Sequence, residues 1–438
     1  MRSYVWHPYT QMNEWPNFDV IVRGKGMWLY DSKGNRMLDG VASMWCNVWG
    51  HSRDELVKSM IKQTKKLQHS SLFNLTNDKA EKLASKLVRL APSMYKVFYS
   101  DDGSTAMEVS AKMALQYWHN EGERKKTKFV TLENGYHGDT IGAMSLGYVS
   151  SFFSRYKSIL FPTISTPSPN SYRIPNGFTL DEFQNQCIDK IEKILSQNDK
   201  IAAFVMESGA QIAGGVGIYP DGFQRKIGTL CKKYGVLFIL DEIATGFGRL
   251  GSMIEYQSQK STPDIVSFGK MLTAGYLPLA VTLASKKVYD SFLGQYQEMK
   301  HFFHGHTFTG NPLACSTAIT NLELYEKYNI ISKIKKSSAC LQKRVDEISG
   351  LEIVGDVRHK GMLMGIELVS NKAKKSQIAP EKRIHQRIFS EAKKHKIYLR
   401  TLGPIVMIVP PLAIPENELD FLVDGTIDTI KKVTEKIL

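Results

Sequence analysis

The chain has 438 residues, 42% of them hydrophobic and 23% charged, the balance of a globular protein with a sizeable core and room for two or three domains of about 100–200 residues each. Its net charge of +14, from 57 basic and 43 acidic residues, is spread along the chain without an aromatic-interleaved basic motif, so it argues for solubility and attraction of anionic ligands and against nucleic acid as a partner. No apolar run approaches the ~20 residues of a membrane span. The cysteines (Cys46, Cys187, Cys231, Cys315 and Cys340) show no CxxC pair and no metal spacing. With an N-terminus that lacks an apolar signal-peptide core, they point to a reducing cytoplasm.

Residues 27–40 read as a hairpin, Met27-Trp28-Leu29-Tyr30 and Arg36-Met37-Leu38-Asp39-Gly40 about a polar turn. Residues 54–68 and 78–90 carry apolar side chains at helical spacing. From Lys96 onward short apolar strands alternate with helices. Strands are expected over 96–100, 128–132, 202–206, 236–240, just before Lys270 and over 279–283, and helices over 105–117 and 222–234. This alternation describes an α/β domain around a mostly parallel sheet, from 45 to 325. Beyond it the pattern predicts a long helix over 326–350, strands near 351–354 and 362–368, a helix over 380–396, a strand over 405–409 and a helix from 416. These suggest a smaller α+β domain over 326–438. The segment 1–44 is expected to pack with it, because so few residues cannot bury a core alone.

Four loops carry chemistry-bearing residues. Gly103-Ser104 lies between a strand and a helix, where backbone N–H groups can bind a phosphate; Ser104 would equally serve as the helix N-cap. Asn134-Gly135-Tyr136-His137-Gly138-Asp139 turns sharply and presents a flat ring, Tyr136. The run 236–240 ends in Asp241-Glu242 and a glycine-rich loop with Arg249, and ligands of open α/β sheets bind at such carboxyl ends. The next apolar run leads to Lys270. A lysine amine can condense with an aldehyde, and an aspartate can keep a ring nitrogen protonated so that the ring accepts electrons; a pyridoxal 5'-phosphate site needs both. His306 and Thr307, ahead of Pro312 at a helix start, can donate to a phosphate. His304 and His306 are not at convincing metal spacing.

In this order the pieces resemble the class III aminotransferases of fold type I, over almost the whole chain. The segments Trp6-His7-Pro8-Tyr9-Thr10-Gln11-Met12, Lys112 to Trp118, Asn134 to Thr140 and Asp241 to Arg249 are similar to the branch that aminates 8-amino-7-oxononanoate to 7,8-diaminononanoate for biotin. The resemblance implies a small-molecule enzyme in which Lys270 and Asp241 hold the cofactor with Gly103, Ser104, Tyr136, His306 and Thr307. It implies that Tyr9, Met44, Trp45, Tyr136, Gly305 and Arg400 line the substrate pocket, with Arg400 on the substrate carboxylate. It implies no metal, no membrane, and a homodimer whose partner lends the 305–307 loop.

The same resemblance makes adenosylmethionine the expected donor and Lys270 the group that moves the proton in two ping-pong halves. Better-known members carry two adjacent tryptophans where this chain has Met44-Trp45, and an aromatic face at the first would suit a sulfonium donor. Gly275-Tyr276-Leu277-Pro278 looks more like members that use lysine as donor. Ser208 stands where many relatives have proline. An ω-amino acid aminotransferase would need a second anion site, which no residue marks. A cofactor-binding regulator is expected to need a DNA-binding module ahead of Trp6. A nicotinamide oxidoreductase would need GxGxxG, which Asp101-Asp102-Gly103-Ser104 is not.

Overall fold

The computed structural model describes residues 3–15 and 17–437; positions 1, 2 and 16 of the expected N-terminal segment, and 438, lie outside the described residues. Three strands open the chain, β1 (Ile21–Lys25), β2 (Trp28–Asp31) and β3 (Arg36–Asp39). Then follow β4 (Lys96–Ser100), β5 (Lys128–Leu132), β6 (Ile164–Thr166), β7 (Ile201–Glu207), the short pair β8 (Ala210–Gln211) and β9 (Gly217–Ile218), β10 (Leu237–Asp241), β11 (Ile265–Phe268) and β12 (Ala280–Ala284).

The central sheet has seven strands in the order β4-β12-β11-β10-β7-β5-β6. β7, β10 and β11 are buried at every residue, as strands covered on both faces must be, and this explains their largely apolar sequences. All pair in parallel except β12, which runs against both β11 and β4. The register sets Glu207, Asp241 and Ser267 side by side at the carboxyl edge. That edge is where an open sheet leaves a crevice for a ligand.

The C-terminal part contributes β13 (Val354–Lys360), β14 (Leu363–Leu368), β15 (Ile397–Tyr398), β16 (Arg400–Leu402) and β17 (Ile405–Ile408). Four of these form an antiparallel sheet, β13-β14-β17-β16. The fifth, β15, pairs in parallel with β3 through Ile397↔Leu38 and Tyr398↔Asp39, so the two ends of the chain share a sheet. No helix among the described residues is long and apolar enough to cross a membrane.

Three local expectations are corrected. The helix expected over 326–350 is broken: Asn329 takes φ 45°, and separate helices run over Ile330–Lys343 and Val345–Ser349. Asparagine tolerates that conformation better than most side chains. The helix expected over 380–396 starts only at Ile384, because Arg383 takes φ 49°. The N-cap of the helix Gly103–Asn120 is Asp102, whose carboxylate accepts from Thr105 N at 3.0 Å, so Ser104 is left free to face the site.

Candidate active site

Lys270 follows β11 and is held in the left-handed region, φ 41°. A bulky residue there costs about 1–3 kcal/mol. Asn321 fixes the backbone from behind: its amide, fully buried, donates to Met271 O and Leu272 O at 2.8 and 3.0 Å. In front, Lys270 Nζ lies 5.3 Å from the centre of the Trp45 ring. Burial pulls the Lys270 pKa below that of free lysine, and the charges of Asp241 and Glu207 oppose the shift. The outcome is an amine easier to deprotonate, as a nucleophile must be.

Asp241, at the end of β10, is 5% exposed. Its Oδ1 accepts from Ile243 N at 2.8 Å, and its Oδ2 accepts from His137 Nδ1 at 2.8 Å. His137 is 3% exposed and comes from the loop after β5, held in place where Gly147 packs against it without a side chain. Glu207, one strand over, accepts from Tyr136 N and Ile212 N at 3.2 and 3.0 Å. Burial raises its pKa to about 7, and the charge of Asp241 adds to the rise while His137 opposes it. His137 and Glu207 were not legible as site residues: each is defined by a partner across the sheet.

Beside this pair the backbones close in. A Cβ on Gly138, at φ 130°, would fall 2.1 Å from Ser104 Oγ, and one on Gly103 would fall 2.8 Å from Ile243 Cγ2. Only glycine lets the helix start, the Tyr136 loop and the Asp241 loop meet. Asp139 N donates to Ser104 Oγ at 3.3 Å.

The mouth of the site is aromatic. Tyr9 and Tyr136 both donate their hydroxyls to Asp139 Oδ1, at 2.6 and 3.1 Å. Burial, then Asp139, holds the Tyr9 hydroxyl well above its ordinary pKa; burial does the same for Tyr136. Asp139, like His137, is thus a residue of the Asn134–Asp139 motif whose role only the fold reveals. Tyr9 arrives on a segment fastened farther along by Glu14 to Arg383, 2.9 Å, and by Trp15 against Phe389, 5.1 Å between rings.

Met44 and Trp45 sit on a turn in which four consecutive side-chain-bearing residues, Ala42 to Trp45, have φ of 47°, 59°, 149° and 68°. L-residues resist this by roughly 1–2 kcal/mol each. The turn points Trp45 at Lys270 and sets Met44 Sδ against Arg400 Nη1 at the start of β16. The turn at Gly275, φ 82°, backs onto Cys46. Arg249 is not in the mouth: fully buried, it donates to Met362 O and Pro410 O at 2.9 and 2.8 Å. Ser208 N donates to Asp241 O at 2.8 Å, a bond proline could not make.

The remaining expected residues lie apart. Gly305 faces the Phe73 ring, His306 N donates to Thr309 Oγ1 at 2.9 Å, and Thr307 is exposed. Among the described residues no hydrogen bond, ion pair or ring contact joins Gly305, His306 or Thr307 to Lys270, Asp241 or Tyr136. Exposed Phe303 and Phe308 flank that loop in sequence, and exposed Phe73 packs against Gly305. No group of three or more metal-ligating side chains occurs among the described residues.

The family model for aminotransferase class-III matches residues 9–430. The adenosylmethionine-8-amino-7-oxononanoate aminotransferase of Geobacter sulfurreducens is 46% identical over 438 residues, 99% of this chain and 97% of that protein. The crystal structure of the enzyme of the same name from Methanocaldococcus jannaschii superposes with a TM-score of 0.92 at 39% identity, over 98% of this chain and 97% of that one. An amine transaminase from an uncultivated Pseudomonas species, in its PLP-bound form, superposes with a TM-score of 0.94 at 29% identity over 99% of both chains.

Proposed function

Because the chain belongs to the class III aminotransferases, we propose that it transfers an amino group from adenosylmethionine to 8-amino-7-oxononanoate, with pyridoxal 5'-phosphate as cofactor. One observation carries the reading. A lysine with a lowered pKa stands at the carboxyl edge of the sheet, in the field of a buried aspartate fixed by a histidine. The residues fit the cofactor: Asp241 offers a carboxylate to a ring nitrogen, Lys270 an amine to an aldehyde, and the glycine-lined start of the helix Gly103–Asn120 offers N–H groups to a phosphate. When bound, the cofactor supplies the electron sink that makes the amine-bearing carbon acidic.

The chain's own residues would do the rest. Lys270 Nζ would take the proton from the amine-bearing carbon and give it back, a transfer that a positioned base speeds by roughly 10²–10⁴-fold. Asp241 would offer its carboxylate to the ring nitrogen, oriented by Ile243 N on Oδ1 and His137 on Oδ2. Tyr9, Tyr136 and Trp45 wall the passage and exclude water from an apolar substrate chain. Arg400, beside Met44, would take the far carboxylate with paired hydrogen bonds.

A homodimer completes the site. The separation of Gly305, His306 and Thr307 from Lys270 within one chain, and the exposed phenylalanines around them, support a second copy receiving that loop at its phosphate. The same reading divides the chain into 1–44, 45–325 and 326–438, supported by the β3–β15 pairing, and places it in the cytoplasm, consistent with five unpaired cysteines.

Lysine is the second donor reading, and Met44 favours it, since methionine offers no aromatic face to a sulfonium. Mixing the holoenzyme with each amine separates the two: the true donor bleaches the yellow absorbance of the Lys270-bound cofactor, and added 8-amino-7-oxononanoate restores it with the diamine appearing by mass spectrometry. Lys270→Ala should lack both the absorbance and turnover; an active Lys270→Ala variant overturns the assignment.

A further inference from the structure

We propose that Asp39 is a positioning residue whose carboxylate holds the left-handed turn Ala42–Trp45 closed and so sets the pocket that selects the amino donor. Asp39 ends β3 and is fully buried, 0% exposed. A carboxylate sealed from water needs its lone pairs occupied, and most of them are taken by this turn. Its Oδ1 accepts from Ser43 N at 2.9 Å and from Val41 N at 3.4 Å. Its Oδ2 accepts from Ser43 Oγ at 2.7 Å and from His51 Nε2 at 3.1 Å. Among the described residues His51 is its only ion-pair partner, so the anion is spent on the turn and not on a distant cation.

The remaining backbone ties are local: Met44 N and Trp45 N donate to Val41 O at 3.3 and 2.9 Å, and Cys46 N and Asn47 N both donate to Ala42 O at 3.1 Å. These close the turn but do not force Ser43 to φ 59° or Met44 to φ 149°. The carboxylate does, because it grips Ser43 by both backbone and side chain from the end of a paired strand. Released, the turn would relax toward ordinary backbone, and Trp45 would leave Lys270 while Met44 left Arg400. Both the reacting end and the far end of the pocket are thus set from one buried anion. The donor-selecting role rests on the proposed reaction; the clamp itself does not.

Three holoenzyme variants test the proposal. Asp39→Asn keeps the shape and loses the charge. Ser43→Ala removes the hydroxyl bond alone. Asp39→Asn combined with Ser43→Gly puts a residue indifferent to the sign of φ at the strained position. Amide hydrogen exchange over 41–47 should quicken about tenfold in Asp39→Asn, the loss expected for a hydrogen bond to a charged group, with 54–66 unchanged. Donor KM should rise about five- to tenfold with kcat within about twofold, and the added glycine should bring KM back to within about twofold of wild type. An aspartate that merely stabilises the fold would not split KM from kcat, and glycine would not rescue it. Unchanged exchange in Asp39→Asn, or a donor KM that the glycine leaves elevated, overturns the proposal. Should Asp39→Asn fail to fold, Ser43→Ala decides, and a wild-type donor KM there overturns it. Exchange needs no substrate: a loosened turn in a protein whose wild type aminates nothing upholds the clamp and counts against the reaction.

Discussion

His137 Nδ1 lies 2.8 Å from Asp241 Oδ2, where the two residues are 3% and 5% exposed. A hydrogen bond to a charged group is worth about 1.5–3 kcal/mol, and leaving a buried partner unsatisfied costs the desolvation as well. His137→Phe should therefore lower kcat by roughly 10–100-fold while the cofactor still binds Lys270. Asp241→Asn removes the charge itself and should cost about 10²–10³-fold. Single-turnover rates with saturating donor check both; a His137→Phe variant as fast as wild type would show that Asp241 needs no help in orientation.

Glu207 gives the stability a pH dependence of known sign. Its pKa rises from 4.5 to about 7 on folding, mainly through burial. The folded chain therefore holds this proton more tightly than the unfolded chain, and the contribution is full below pH 4.5 and lost as the pH climbs through about 7. A shift of this size is on the order of 3 kcal/mol. Glu207→Gln should remove that slope. Urea unfolding of the apoprotein at pH 5 and pH 8 should show wild type losing more stability between them than the variant, by up to about 3 kcal/mol. Parallel profiles would mean that Glu207 is ionised throughout.

The parts of this site that were readable without coordinates are those in which local chemistry and burial coincide. Asp241 ends one largely apolar strand and Lys270 follows two residues after another, and such strands have one place to go, the centre of a mostly parallel sheet. His137 sat in the same glycine-bracketed motif as Tyr136, but its meaning depends on Asp241, 104 residues away. The left-handed turn gave no warning because none of Ala42, Ser43, Met44 and Trp45 is glycine, the usual sign of positive φ. The helix expected over 326–350 failed for the converse reason: helical spacing runs on through Asn329, and only the backbone shows the break. For His306 and Thr307 no bond among the described residues leads to Lys270 or Asp241, so the chain's own contacts do not reveal their role.

Arg400 should act on one substrate end only. Removing it as Arg400→Ala takes away a paired, charge-assisted contact worth about 2–3 kcal/mol, so KM for 8-amino-7-oxononanoate should rise by roughly 30–150-fold. Arg400→Lys should recover little of this, because an ammonium cannot form the two parallel bonds. Neither change should alter the absorbance of the Lys270-bound cofactor, since among the described residues Arg400 contacts Met44 and not Lys270. An equal fall in kcat with an unchanged KM would place the carboxylate elsewhere.

Met44 is 45% exposed in the mouth of the site and bears on Arg400 through its sulfur. An indole in its place would offer a π face to a cationic donor. Such a contact is worth about 0.5–1 kcal/mol at a partly exposed site, which corresponds to a KM lowered by roughly two- to fivefold. The gain should fall on the sulfonium of adenosylmethionine more than on lysine, whose compact ammonium is strongly hydrated and gives up its water reluctantly. Met44→Trp should thus raise the ratio of adenosylmethionine to lysine efficiency, measured as the concentration dependence of absorbance loss in each half-reaction. The backbone at this position is already held at φ 149° with methionine, so the substitution adds no strain of its own to the turn. If the ratio stays fixed while the variant folds and binds cofactor, the residue at 44 does not choose the donor, and the Gly275-Tyr276 turn packed behind Cys46 is the next position to vary.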